Sequence, residues 1–156
     1  MSEARQTKRE LLAGLLSEQC DLLPRLGVRV DAQLEAVNQG NLELYEKLTL
    51  EIEPLTLRLE ELQGEIPAVE AQLVALYQGL DAGEHRQEME TVLNLLAQRS
   101  RMMQELALQQ QGVIEALESY IDGLTKEGRD LNQTVNAFHG YRKAANLDST
   151  LLNVRK

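Results

Sequence analysis

The sequence predicts an all-α protein: an elongated antiparallel helical bundle, or coiled-coil hairpin, of about three long helices followed by a short irregular C-terminal tail. Three observations carry this. Hydrophobic residues make up 43% of the 156 positions but aromatic residues only 3%, with no Trp and one Phe. A core must then be assembled from Leu, Val, Ile, Met and Ala, which suits helices packed on helices. Leu recurs at spacings of three and four along most of the chain, the period of a helix face. Finally, 10 Gly and 3 Pro are too few for the many tight turns of an all-β chain of this length.

The first helix is expected over about residues 4–38, with Leu12, Leu15, Leu16, Leu22, Leu23, Leu26, Val30, Leu34 and Val37 on one side. Pro24 lies inside it and predicts a bend. Gln39-Gly40-Asn41 interrupts the pattern. Gly40 suits a left-handed C-terminal cap and Asn41 the N-cap of the next helix, with Glu43 against its positive dipole end. The apolar spacing nevertheless runs on through this point, so the sequence leaves open whether Gly40 reverses the chain or bends one long helix.

A second helix is expected over about 41–78, carrying Leu44, Leu48, Ile52, Leu55, Leu59, Leu62, Ile66, Val69, Leu73 and Leu76. Pro54 predicts a kink, and Gly64 with Pro67 a second weak point. Gly79-Leu80-Asp81-Ala82-Gly83 is the clearest turn. From Glu84 to His139 nothing forces a stop. Counting 3.5 residues from Met89 gives a seam through Val92, Leu96, Arg99, Met103, Leu106, Gln110, Val113, Leu117, Tyr120, Leu124, Glu127, Leu131, Thr134 and Phe138, mostly apolar as a coiled-coil seam requires. The expected body is thus residues 1–139, with Gly140 as its C-terminal stop and 140–156 as a separate tail.

That tail reverses the charge of the chain, with Arg142, Lys143, Arg155 and Lys156 against Asp148 alone. Ala144, Leu147, Leu151 and Val154 fall on one face of a helix too short to be stable by itself. The tail is therefore expected to be flexible in the free protein and helical on a partner.

Composition also narrows the function classes. A formal charge of −9 repels phosphate backbones, and no Lys/Arg run exceeds two residues, so nucleic acid is a poor partner. No apolar run is long enough to span a bilayer, and MSEARQTKRE lacks the apolar stretch of a signal peptide, so the expected location is cytoplasmic and membrane insertion is not expected. The lone Cys20 is read as a small buried side chain. His85 and His139 lie at opposite ends of the last predicted helix, and there is no metal-ligand spacing, phosphate-cradling loop or nucleophile elbow. No enzyme, catalytic residue, cofactor or metal is expected. The carboxylates, Glu51, Glu53, Glu60 and Glu61 among them, read as a solvated helix face. What remains is binding: grooves and stripes that accept an amphipathic helix.

The segment LLPRLGVRVDAQLEAVNQGNLELYEKLTLEIEPLTLRLEEL, Leu22 to Leu62, resembles the FlgN family of flagellar type III export chaperones. The resemblance lies in the Leu-rich first helix, the step Gln39-Gly40-Asn41-Leu42-Glu43 and a second helix with Leu, Glu and Lys alternating around it. It extends more loosely through Glu84–His139 and into the terminal Gly-Tyr. Pro54, Pro67 and the run Gln109-Gln110-Gln111 depart from the family pattern. The resemblance implies a small cytosolic chaperone that binds the helical C-terminal segment of hook-associated flagellar proteins, prevents their premature polymerisation and delivers them to the export gate.

On that reading Val113, Leu117, Tyr120, Leu124, Leu131, Val135 and Phe138 are candidates for the cargo-facing stripe, with internal core as the open alternative. Tyr141, a lone aromatic just beyond the expected helix end, is the candidate for docking to the export gate. Leu147, Leu151 and Val154 join it as tail residues that could meet the gate or another partner. The alternative function is a homo-oligomeric coiled-coil scaffold or adaptor with no export role. A homodimer is compatible with either.

Overall fold

The computed structural model describes the backbone of residues 3–154, and the side chains of residues 3–140 and of Arg142. It is all-helical over the described residues, with four helices: α1 (Glu3–Asn38), α2 (Leu42–Leu76), α3 (Ala82–Glu88) and α4 (Glu90–Val154). Two compact units can be distinguished, Met1–Ala116 and Leu117–Lys156.

Gly40 reverses the chain. It adopts φ 69°, the left-handed region where a side chain would be strained. The amide of Asn41 donates to the Ala36 carbonyl at 2.8 Å and that of Gly40 to the Val37 carbonyl at 3.0 Å, the paired bonds of a Schellman cap. Asn41 then caps α2, its side chain accepting from the Leu44 amide at 3.1 Å. Past this turn α1 and α2 run antiparallel. Gln33 donates to Thr49, and farther from the turn the Arg58 guanidinium grips both carboxylate oxygens of Glu18 at 2.6 and 2.8 Å. Arg58 lowers the Glu18 carboxyl below its ordinary pKa, first by hydrogen bonding. Both partners are more than a third exposed, so this pair fixes register more than it adds stability.

The expected α2 stripe is the buried one: Leu48, Leu55, Leu59, Leu62, Ile66, Val69 and Leu73 are all buried. At its ends Leu44 and Leu76 are exposed and Tyr77 is buried in place of Leu76. The helices run through Pro24, Pro54 and Pro67. All three prolines sit on exposed positions, where water can take the carbonyl left without an amide partner.

Within the first unit, α4 runs beside α1 in the same direction. The Cys20 thiol lies 3.8 Å from the Leu95 carbonyl, Arg99 donates to the buried Gln19 at 3.2 Å, and the Gln109 side chain lies against Gly27. A Cβ added at Gly27 would sit 2.9 Å from the Gln109 amide oxygen, so glycine is what lets that side chain approach. Cys20 is buried and unbridged, and burial raises its thiol pKa. Leu12, Leu16, Leu62, Leu73 and Val92 are the largest fully buried apolar side chains. They belong to one cluster with Leu22, Leu23, Leu26 and Leu59.

Two expectations change. The stretch 84–139 is not one helix, because Met89 adopts φ −90° and ψ 2°, separating α3 from α4. Arg9 donates to the Glu88 carbonyl there at 2.8 Å, holding the break against α1. Nor is Gly140 a stop: α4 continues to Val154 and Gly140 is not at positive φ. A helix-interior glycine costs only about 1 kcal/mol relative to alanine, too little to end a helix whose next residues favour the same conformation.

Candidate functional site

The described part of α4 has two apolar faces, and the single 3.5-residue seam merges them. In the first unit Val92 and Val113 are buried, and Leu96, Arg99, Met102 and Leu106 are half-buried. Met103, 38% exposed, and Gln110 turn outward, so the seam fails at those two positions.

The described backbone of the second unit, from Leu117 to Val154, is one helical segment, the continuation of α4. From Ile121 to Gly140 every side chain is exposed. Leu124 is 49% exposed, Leu131 63%, Val135 40% and Phe138 63%. Of the candidate cargo residues, these four are surface. Val113 is corrected: at 6% exposure it belongs to the interior and not to a docking stripe. Leu117 and Tyr120 are half-buried. The side chains of Tyr141, Leu147, Leu151 and Val154 lie outside the described residues.

Ile121, 58% exposed, belongs to the same row but is absent from the spacing-derived candidates. Counting from Val113 passes through its neighbour Tyr120. The signal was present in the sequence: Leu117, Ile121, Leu124, Gly128, Leu131, Val135 and Phe138 follow alternating steps of four and three, which keeps them on one helix face. The acidic residues beside this row, Glu118 and Glu127, are exposed and leave its margins mildly anionic. A row of large apolar side chains on an exposed helix face is unfavourable in water unless something covers it.

A second apolar feature lies in the first unit, where Leu12, Leu73, Tyr77, His85, Met89 and Val92 line a cleft of about 230 Å³. That is below the usual range of about 300–1,000 Å³ for small-molecule sites. The Tyr77 ring stacks on His85 with centroids 4.5 Å apart, and the Tyr77 hydroxyl donates to Glu88 at 2.7 Å. Arg5 reaches the same carboxylate at 3.4 Å.

This cluster gives α3 a pH response. The Tyr77 hydrogen bond, then the nearby Arg5 and Arg9 charges, hold the Glu88 carboxyl below its ordinary pKa despite partial desolvation. A depressed folded pKa contributes stability at neutral pH that is lost as pH falls through it. Burial, then the bond to Glu88, raises Tyr77 to about 12. Its contribution is complete below about 10, the ordinary tyrosine value, and is lost as pH rises toward 12. An ultraviolet titration should show one tyrosine ionising near 12. Glu88→Gln should lower that value only in part, since burial is the larger cause, and should blunt the acid sensitivity of α3; an unchanged acid profile would contradict this.

Among the described residues no group of three or more His, Cys, Asp or Glu side chains could hold a metal ion, and no helix is long and apolar enough to cross a membrane. No protein-family model, curated protein or solved structure matches the chain.

Proposed function

We propose that this protein is a helix-binding export chaperone of the flagellar type, without catalytic chemistry. It holds the amphipathic C-terminal helix of a hook-associated subunit against the exposed face of α4 and passes it to the export gate from the cytoplasm. The observation that supports this reading is the row Ile121, Leu124, Leu131, Val135 and Phe138, large apolar side chains that α4 leaves exposed on one face. The resemblance of Leu22–Leu62 to the FlgN family supplies the class of partner. On this account the first unit, with α1, α2 and the start of α4 as its three long helices, is the folded body, and the second unit carries the docking face.

The physical logic is that a polymerising subunit carries an apolar helical stripe that must be hidden until assembly. Covering it with a second stripe removes apolar area from water on both sides, at about 25 cal/mol per Å². Co-purification with a hook-associated subunit tests the reading. The full-length subunit should be retained as a defined soluble complex, and the same subunit lacking its C-terminal helix should not. Equal retention of both would overturn the proposal. Tyr141 is proposed to contact the gate after cargo is loaded, so Tyr141→Ala should impair export while leaving cargo binding intact.

A further inference from the structure

We infer that in the free protein the exposed face of α4 is occupied by the same face of a second copy, in a parallel, in-register two-stranded coiled coil over Leu117–Phe138. A partner helix then binds by displacing that copy. This inference rests on the reading of the face as a helix-docking surface and adds how it is regulated.

The register carries the argument. Steps of four and three over Leu117–Phe138 assign Ile121, Gly128 and Val135 to a positions, and Leu117, Leu124, Leu131 and Phe138 to d positions. β-branched residues at a with leucine at d favour parallel dimers over trimers or tetramers. Here both a positions that carry a side chain are β-branched, and three of the four d positions are leucine.

The flanking positions agree. In a parallel pair each g residue meets the e residue five places later in the other copy. Tyr120 then meets Thr125, Glu127 meets Asn132, and Thr134 meets His139. No two carboxylates face each other, although the chain as a whole carries −9. An acidic chain whose self-facing flanks hold no like-charge pair can pair with itself without the repulsion its net charge suggests.

The pairing is also built to yield. It spans only about three heptads, near the lower limit for helix association in water. At its centre Gly128 would face Gly128 of the second copy, leaving an unfilled layer. A Cβ placed at Gly128 meets nothing within 4 Å in this chain, so a larger residue there would be accepted by the fold and would fill only the gap between copies.

Sedimentation equilibrium across a wide concentration range should find a reversible monomer–dimer equilibrium. Gly128→Ile should tighten it roughly tenfold or more by filling the empty layer, and Leu124→Asp should leave a monomer. Orientation is read separately. Val135→Cys should cross-link to its own copy under mild oxidation, because a parallel register places each a residue opposite itself. The wild-type chain is the control, since its single Cys20 is buried in the first unit.

A monomer at every concentration in both wild type and Gly128→Ile would overturn the inference. So would a dimer in which Val135→Cys cross-links only when mixed with Ile121→Cys. Subunit binding distinguishes this from the function itself: a monomer that still retains the hook-associated subunit removes the dimer alone, and a dimer that never yields to the subunit removes the chaperone reading alone.

Discussion

Leu124→Asp combined with Leu131→Asp is expected to abolish capture of a hook-associated subunit while leaving the thermal unfolding of the packed first unit unchanged. Each leucine buried against a partner helix contributes roughly 1.5–3 kcal/mol. Losing two therefore costs at least about 3 kcal/mol, on the order of a hundredfold in affinity, before the cost of desolvating two carboxylates is added. Neither leucine has anything to lose in the free monomer, being 49% and 63% exposed. Isothermal titration alongside calorimetric unfolding reads both quantities. Unimpaired binding by the double variant would place the docking surface elsewhere.

Leu62→Ala is the converse. Leu62 is 0% exposed and sits in the shared cluster with Leu16, Leu59 and Ile66. Truncating a fully buried leucine leaves a cavity as well as lost transfer energy, typically 2–5 kcal/mol. Against a typical stability of about 5–15 kcal/mol this is a large fraction. Urea unfolding should show a lower midpoint with an unchanged slope. The subunit should still bind at temperatures where the variant remains folded. A loss below about 1 kcal/mol would mean that the cluster is not packed as described.

These two leucine classes were legible in the sequence to different degrees, and the reason is physical. In α2 the helix buries one narrow face, so regular spacing picked out Leu48, Leu55, Leu59, Leu62, Ile66, Val69 and Leu73. At the α1–α2 cap Gly40 and Asn41 were legible as capping residues, each with a local chemical role, but the apolar spacing running through them left open whether the chain reverses there. In α4 the same spacing rule is ambiguous. The helix is apolar toward its own core at Val92 and Val113 and apolar toward solvent at Ile121, Leu131 and Phe138, and periodicity does not say which neighbour is present. Val113, a candidate for the stripe, is therefore buried, and Ile121, which the spacing passed over, is exposed.

Glycine misled for a related reason. Of 10 glycines, positive φ occurs only at Gly40 and Gly79 among the described residues. The others, Gly140 included, show that the residue by itself does not mark a helix end when its surroundings favour continuation. The Met89 break carried no Gly or Pro signal at all. It is held from a distance by Arg9 on α1, a tertiary contact that no local pattern reports.

The central claim is that the face of α4 over Leu117–Phe138 is where a partner helix docks. Hydrogen exchange followed by mass spectrometry, on the free protein and on its complex with a hook-associated subunit, tests it most directly. Free and diluted to the monomer, the protein should exchange the amides of this segment faster than those of α2, because an exposed helix opens more readily than one packed in a core. Bound, protection should rise across residues 117–138 and stay unchanged around Leu62. Protection that appears in the first unit while 117–138 exchanges as before would contradict the account.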